Sequence, residues 1–132
     1  MNSSLSLLKK QMKFNPKLRG EIEKYKGYVV LVEGKKDVLA LRQFGFTNVY
    51  AIHKTGIGLR ERVEQIVASV SDKKKRFCVL TDFDRQGKKL YMFVKSVLHE
   101  QGVRVDSALR GILLKAGLSH VEGFGKFMEK LP

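Results

Sequence analysis

Apolar residues fall into two kinds of pattern along this 132-residue chain. Short continuous runs rich in β-branched residues are typical of strands that are buried on both faces. Stripes of apolar residues at helical spacing follow each run, and glycines end several of them. The predicted strands are YVVLV (28–32), TNVYAI (47–52), RFCVLT (76–81) and VRVD (103–106). The predicted helices that follow them cover residues 35–44, 59–70, 86–101 and 107–117.

This alternation of strand and helix predicts an α/β fold. Right-handed crossovers give a parallel sheet of about four strands with helices on both faces. Residues 1–26 are predicted to form a basic helical extension, with helical turns over 4–13 and a second helix capped by Asn15. Residues 111–132 are predicted to form a helical segment that packs on the domain.

Carboxylates follow the first and third predicted strands. Glu33 and Gly34 come directly after the first strand, and Asp82 and Asp84 follow the third. Function collects at the carboxyl ends of parallel strands. Residues two apart in an extended chain point to the same side, so both aspartates should face the crevice while Phe83 turns inward. Three carboxylates in a basic chain favour a hard divalent cation, Mg²⁺ or Mn²⁺.

The net charge of +13 and an isoelectric point near 10 indicate a polyanionic partner. Any one lysine run is typical of a solvated surface. Here, however, two runs flank the same acidic stretch along the sequence, which favours nucleic acid. These residues are Lys73, Lys74, Lys75 and Arg76 before the third strand, and Lys88 and Lys89 after the aspartates.

Other features exclude whole classes of protein. The single cysteine, Cys78, lies in an apolar run and is expected to be a buried core residue, so disulfides and structural zinc are not expected. No apolar run approaches the roughly 20 residues that span a bilayer, and the amino terminus lacks a secretion signal, so we expect a cytoplasmic protein. The three histidines are not at metal-ligand spacing, and His53, beside the end of the second strand, is the only one placed so that it could touch the acidic site.

Two motifs resemble the Toprim domain family. The stretch VEGKKDVLALRQFG (32–45) is similar to the first Toprim motif of bacterial primases. The stretch TDFDRQG (81–87) resembles the second motif, as found in type IA topoisomerases and in the 5S rRNA maturase. The resemblance covers roughly residues 27–110, and the size is similar to that of small stand-alone Toprim proteins of archaea.

The resemblance implies roles for particular residues. Glu33 would act as the general acid or base and join the metal site, while Asp82 and Asp84 would hold Mg²⁺. This agrees with the needs of a phosphodiester, whose reaction requires neutralised charge and a transferred proton. The residues expected at phosphate are Gly34, Lys35, Arg85 and Gly87, with Asp37 and Gly56 as accessory candidates.

Two functions remain open from the sequence. The first is a Mg²⁺-dependent nuclease or processing factor, in which Glu33 and the aspartates perform the chemistry and the lysine runs hold nucleic acid. The second is a non-catalytic RNA-binding module, associated with ribosomal RNA or the ribosome, in which the same site holds metal and phosphate. RNA is favoured over DNA as the partner. Primer synthesis and strand passage are not expected, because the chain lacks the length for the domains they require.

Overall fold

The computed structural model describes residues 16–72 and 74–131. The predicted helical turns over 4–13, the Asn15 cap and Lys73 lie outside these residues. The four strands are β1 (Val29–Val32), β2 (Asn48–Ala51), β3 (Arg76–Leu80) and β4 (Arg104–Val105). They form one parallel sheet in the order β2-β1-β3-β4, so the predicted four-stranded parallel sheet is confirmed.

Helices connect successive strands as predicted, and each begins or ends within a few residues of the predicted bound. They are α1 (Leu18–Glu23), α2 (Lys35–Arg42), α3 (Leu59–Ser69), α4 (Arg85–Glu100), α5 (Ala108–Lys115) and α6 (Phe124–Glu129), with a 3₁₀ turn at Val121–Gly123. None of the helices in the described part of the chain is both long and apolar enough to cross a membrane.

Three helices end at a glycine with positive φ, which is a conformation that glycine adopts without steric cost. After α2, Gly45 has φ +92°, and the N–H of Phe46 donates back to the carbonyl of Leu41. Gly102 after α4 and Gly117 after α5 make the same reversal. Because these glycines end the helices, the ends of α2, α4 and α5 lie close to the ends predicted from the sequence.

The strand order places two separate cores on the two faces of the sheet. Alternate residues of β1 and β3 point to opposite faces. Val30 and Leu80 pack with α1, α2, α5 and α6 on one face, whereas Leu31 and Val79 pack with α3 and α4 on the other. On the first face, Phe124 of α6 is fully buried and contacts other aromatic rings edge to face.

The candidate site lies where the strand order reverses. From β1 the chain moves to β2 on one side, and β3 then pairs on the other side of β1. Val32 at the end of β1 is in register with Leu80 at the end of β3, so Glu33 and Thr81 leave the sheet at the same level. Crevices at such reversals, beyond the carboxyl ends of the strands, are where α/β proteins bind ligands.

Candidate metal and nucleic-acid site

Glu33 and Asp82 are joined directly at the carboxyl edge of the sheet. The backbone N–H of Asp82 donates to Oε2 of Glu33 at 2.7 Å. This hydrogen bond fixes the Glu33 side chain beside Asp82. Among the described residues, Oε1 of Glu33 accepts no hydrogen bond and remains available for chemistry.

The loop between α5 and the 3₁₀ turn holds residues 81–84 in place; these residues are called the aspartate turn below. The N–H of Val121 donates to Oδ1 of Asp82 at 2.9 Å, and the N–H of Phe83 donates to the carbonyl of Ser119 at 3.1 Å. Phe83 is buried, as predicted, while Asp82 is half-buried and Asp84 is exposed. The Val121 N–H is bonded to Oδ1 of Asp82, and Oδ2 accepts no hydrogen bond from the described residues.

Asp84 is the N-cap of α4, because its Oδ1 accepts the N–H of Gly87 at 2.7 Å. Thr81 is fully buried and donates to the carbonyl of Gly87 at 2.6 Å. A Cβ atom on Gly87 would lie 1.9 Å from the carbonyl oxygen of Asp82. The close approach that glycine permits here is therefore between two backbone segments of the protein, and the Gly87 N–H is already occupied.

His120 reaches the aspartates, so the expectation that only His53 would touch the site was wrong. Nε2 of His120 lies 3.9 Å from Oδ2 of Asp84. Donor atoms of Asp82, Asp84 and His120 all lie within 4.8 Å of one another. His53 follows β2 at the same edge, but only its backbone N–H contacts the site, by donating to the carbonyl of Glu33 at 3.1 Å.

The donor set fits a divalent cation. One carboxylate oxygen of each aspartate accepts a hydrogen bond from a backbone N–H, and this bond orients the side chain. The other oxygen of each carboxylate accepts no backbone N–H and can bind a cation. Carboxylate oxygens are the ligands of Mg²⁺ and Mn²⁺, and an imidazole nitrogen is a ligand of transition metals. Asp82 and Asp84 would hold the ion. Glu33 accepts the backbone N–H of Asp82, and it is not among the residues whose donor atoms meet within 4.8 Å, so its predicted role as a metal ligand stays a prediction.

Asp37 is buried beside this cluster, with 8% of its surface exposed. It lies in the first turn of α2, and its Oδ2 accepts the N–H of Gly34 at 3.1 Å. Burial raises the pKa of the Asp37 carboxyl, the Gly34 N–H partly opposes that rise, and the charges of Asp82, Glu33 and Glu122 add to it. Asp37 therefore caps its helix and contributes to the negative potential of the site.

Arg110 is a buried cation beneath the aspartate turn, and it was not anticipated from the sequence. Its guanidinium donates to the carbonyl oxygens of Thr81 and Asp82, and lies 4.6 Å and 4.5 Å from the ring centroids of Phe83 and Tyr91. Burial lowers the pKa of Arg110, and Tyr91, Asp82 and Glu33 act in the opposite direction. The side chain stays charged, so it balances the carboxylates above it.

Exposed basic residues lie in three elements that begin at the same edge of the sheet as the acidic residues. They lie in the first turn of α2, in the first two turns of α4 and in the loop after β2. That loop turns at Gly56, whose φ of +82° favours glycine. Gly34 adopts an extended conformation before α2 and has open space around it. The basic residues are Lys35, Lys36, Lys54, Arg85, Lys88 and Lys89.

The described residues of the basic run before β3 are Lys74, Lys75 and Arg76, and they lie at the opposite edge of the sheet. Arg76 is the first residue of β3, so six residues of extended chain, about 20 Å, separate it from Asp82. Lys75 donates to the carbonyl of Gly27 at 2.9 Å, and Arg76 lies 3.9 Å from Asp106. A role of this run in nucleic-acid binding stays a prediction, and it requires a partner that extends across the molecule.

Cys78 is a core residue, as predicted. It is 1% exposed in the middle of β3, and burial raises the pKa of its thiol to about 12. A thiol in that environment stays protonated and unreactive.

Comparisons with known proteins identify the fold family. A family model of the Toprim domain matches residues 27–108. The chain is 24% identical to a UPF0292 protein of Methanosarcina barkeri, over 98% of this chain and 90% of that protein. It is 28% identical to a UPF0292 protein of Methanocaldococcus jannaschii, over 76% of this chain and 78% of that protein.

A solved structure shares the fold of this chain. The chain is similar to a protein from Aquifex aeolicus with a TM-score of 0.66 and 30% identity, over 80% of this chain and 94% of that one. Toprim domains typically bind a divalent metal and generally act on nucleic acids. The resemblance drawn from the two motifs is confirmed, and the chain belongs to the Toprim domain family.

Proposed function

We propose that this protein is a metal-dependent phosphodiester-processing enzyme that acts on nucleic acid, with RNA favoured as the substrate. The observation that carries this proposal is the pairing of Glu33 with the aspartate turn. A carboxylate with one oxygen anchored and one free is hydrogen-bonded to the backbone of Asp82, whose side chain and that of Asp84 have the donor atoms to hold a metal ion. Proton transfer and charge neutralisation are thereby available at one point.

Each residue has a distinct part in this proposal. Asp82 and Asp84 hold the cation, which when bound neutralises the charge that develops on the phosphoryl oxygens. Glu33 uses its free Oε1 to take a proton from the attacking group or to deliver one to a bridging oxygen. Lys35 and Arg85 bind the adjacent phosphates, because both are exposed at the helix starts that flank the cluster.

A second candidate is a non-catalytic RNA-binding module that contacts ribosomal RNA. One observation favours it, because Oε2 of Glu33 already accepts the Asp82 N–H. In this reading Glu33 positions the aspartate turn, and the metal bridges the protein to a backbone phosphate. Recognition would rest on the backbone and shape of the RNA.

The two candidates are separated by replacing Glu33 with glutamine. The amide oxygen of Glu33→Gln can still accept the Asp82 N–H, so the turn should persist. If Glu33 transfers a proton, cleavage should fall by about 10²- to 10⁴-fold while nucleic-acid affinity is retained. Substrates are ribosomal RNA precursors and single- and double-stranded RNA and DNA, incubated with Mg²⁺, Mn²⁺ or EDTA.

The matched control is Glu61→Gln, because Glu61 is an exposed glutamate in the first turn of α3. It should cleave like the wild type. Tight binding without any metal-dependent product from the wild type would overturn the enzymatic proposal in favour of the binding module. Equal cleavage by wild type and Glu33→Gln would assign Glu33 a positioning role only.

A further inference from the structure

The loop between α5 and the 3₁₀ turn places His120 at a defined position over the aspartates. Leu118 and Val121 are buried on either side of it, with 7% and 1% of their surfaces exposed. Hydrogen bonds tie Ser119 and Val121 to the aspartate turn, as described above. A histidine held between two buried anchors and two hydrogen bonds to the same turn has little freedom in its backbone position.

The ring of His120 is also oriented. Its Nδ1 is 3.1 Å from Oγ of Ser119, whereas its Nε2 is the atom that lies 3.9 Å from Oδ2 of Asp84. Metal-binding histidines use this arrangement, in which a partner on one ring nitrogen orients the other toward the ion. Ser119 therefore leaves Nε2 available to the cluster.

The separations suit ligands of one ion. Two ligand atoms at about 2.1 Å from a metal lie about 3.0 Å apart when adjacent and about 4.2 Å apart when opposite. The longest separation in the cluster is within 4.8 Å. Asp84 and His120 are about half exposed, so rotation of their side chains can remove the remaining difference.

We propose that His120 is a third protein ligand at the metal site and that it shifts the site's preference from Mg²⁺ toward a first-row transition cation such as Mn²⁺. Mg²⁺ prefers oxygen ligands and gains little from imidazole, whereas transition cations bind imidazole well. A site of two carboxylates and one imidazole discriminates by ligand type. This inference rests on the proposed function, because it concerns the same site and its metal.

Mn²⁺ itself provides the test. Electron spin-echo spectroscopy of Mn²⁺ bound to the wild-type protein should show coupling to a directly bound ¹⁴N nucleus. His120→Asn should abolish that coupling and lower the Mn²⁺ affinity by at least about tenfold, because loss of even an outer partner costs 10- to 100-fold. The Mg²⁺ affinity, measured by calorimetry, should change little, so the ratio of the two affinities falls.

The control variant is His53→Asn, because His53 is an exposed histidine at the same edge whose side chain is outside the cluster. It should retain the ¹⁴N coupling and both affinities. Circular dichroism checks that each variant is folded.

An Asp82→Asn arm distinguishes failure of this inference from failure of the proposed function. Binding of Mn²⁺ by the wild type but not by Asp82→Asn would establish the carboxylate site. With that site established, the His120 assignment is overturned if the wild type shows no ¹⁴N coupling, or if His120→Asn keeps the wild-type ratio of Mn²⁺ to Mg²⁺ affinity. If wild type binds neither cation, the metal site of the proposed function fails as well.

Discussion

Gly87 lies in the first turn of α4, where its lack of a side chain lets the helix approach the aspartate turn. In Gly87→Ala the new Cβ would lie 1.9 Å from the carbonyl oxygen of Asp82, a backbone atom. Relief of this overlap requires α4 and the turn to separate by at least about 1 Å. Helix propensity alone predicts the opposite effect, because alanine is favoured over glycine inside a helix by about 0.5–1 kcal/mol.

The cost follows from the contacts that this separation breaks. Thr81 donates to the Gly87 carbonyl at 2.6 Å, and the Gly87 N–H donates to Asp84 at 2.7 Å. Both bonds would lengthen beyond useful hydrogen-bond distance. Two lost bonds at about 1 kcal/mol each and overpacking of about 1–3 kcal/mol, less the helix-propensity gain of about 0.5–1 kcal/mol, give a destabilisation of about 2–4.5 kcal/mol.

Urea unfolding followed by circular dichroism measures this loss, and Mn²⁺ affinity should fall with it because the Asp84 cap moves. Gly111→Ala is the matched control, since Gly111 lies inside α5, where an added Cβ would meet no atom of the described residues within 4 Å. That substitution should stabilise the protein by about 0.5–1 kcal/mol. A Gly87→Ala protein as stable as the wild type would refute the close-approach argument.

Two further predictions concern charge. Burial raises the pKa of Asp37, so the metal-free wild type loses stability as pH rises from the ordinary value of 3.8 through the raised pKa. Asp37→Asn removes that loss and keeps an acceptor oxygen, so the variant should be at least as stable as the wild type at neutral pH. The difference in their free energies of unfolding should vanish below pH 3.8. Urea unfolding across pH would contradict this if the difference grew as the pH fell. Replacing Lys88 and Lys89 with glutamine should reduce the slope of log K against log salt by about 1.4–1.8 for RNA binding. The same change at Lys74 and Lys75 should have less effect, and an equal or larger effect would show that the partner lies along the opposite edge.

The strands and the acidic residues of the site could be predicted because local sequence determines them. A run such as YVVLV forms a strand wherever it can be buried on both faces, and the carboxylates after β1 and β3 meet because parallel strands end at one edge. Because a strand crosses the sheet from one edge to the other, a basic run before a strand and a basic run after it lie at opposite edges. The described residues Lys74, Lys75 and Arg76 precede β3, and Lys88 and Lys89 follow the aspartates, so the two groups are near in sequence but lie at opposite edges of the sheet.

Tertiary structure alone decided which distant residues complete the site. Arg110 lies 28 residues from Asp82 in sequence, and Val121 lies 39 residues from it. Their positions depend on how α5 and α6 pack against β1 and β3, through apolar contacts that carry no local signal of a metal site. His120 showed no ligand spacing in the sequence for the same reason. Local propensities determine where strands and helices begin and end. The packing of the last two helices determines that the Arg110 guanidinium and the His120 imidazole lie at the aspartates.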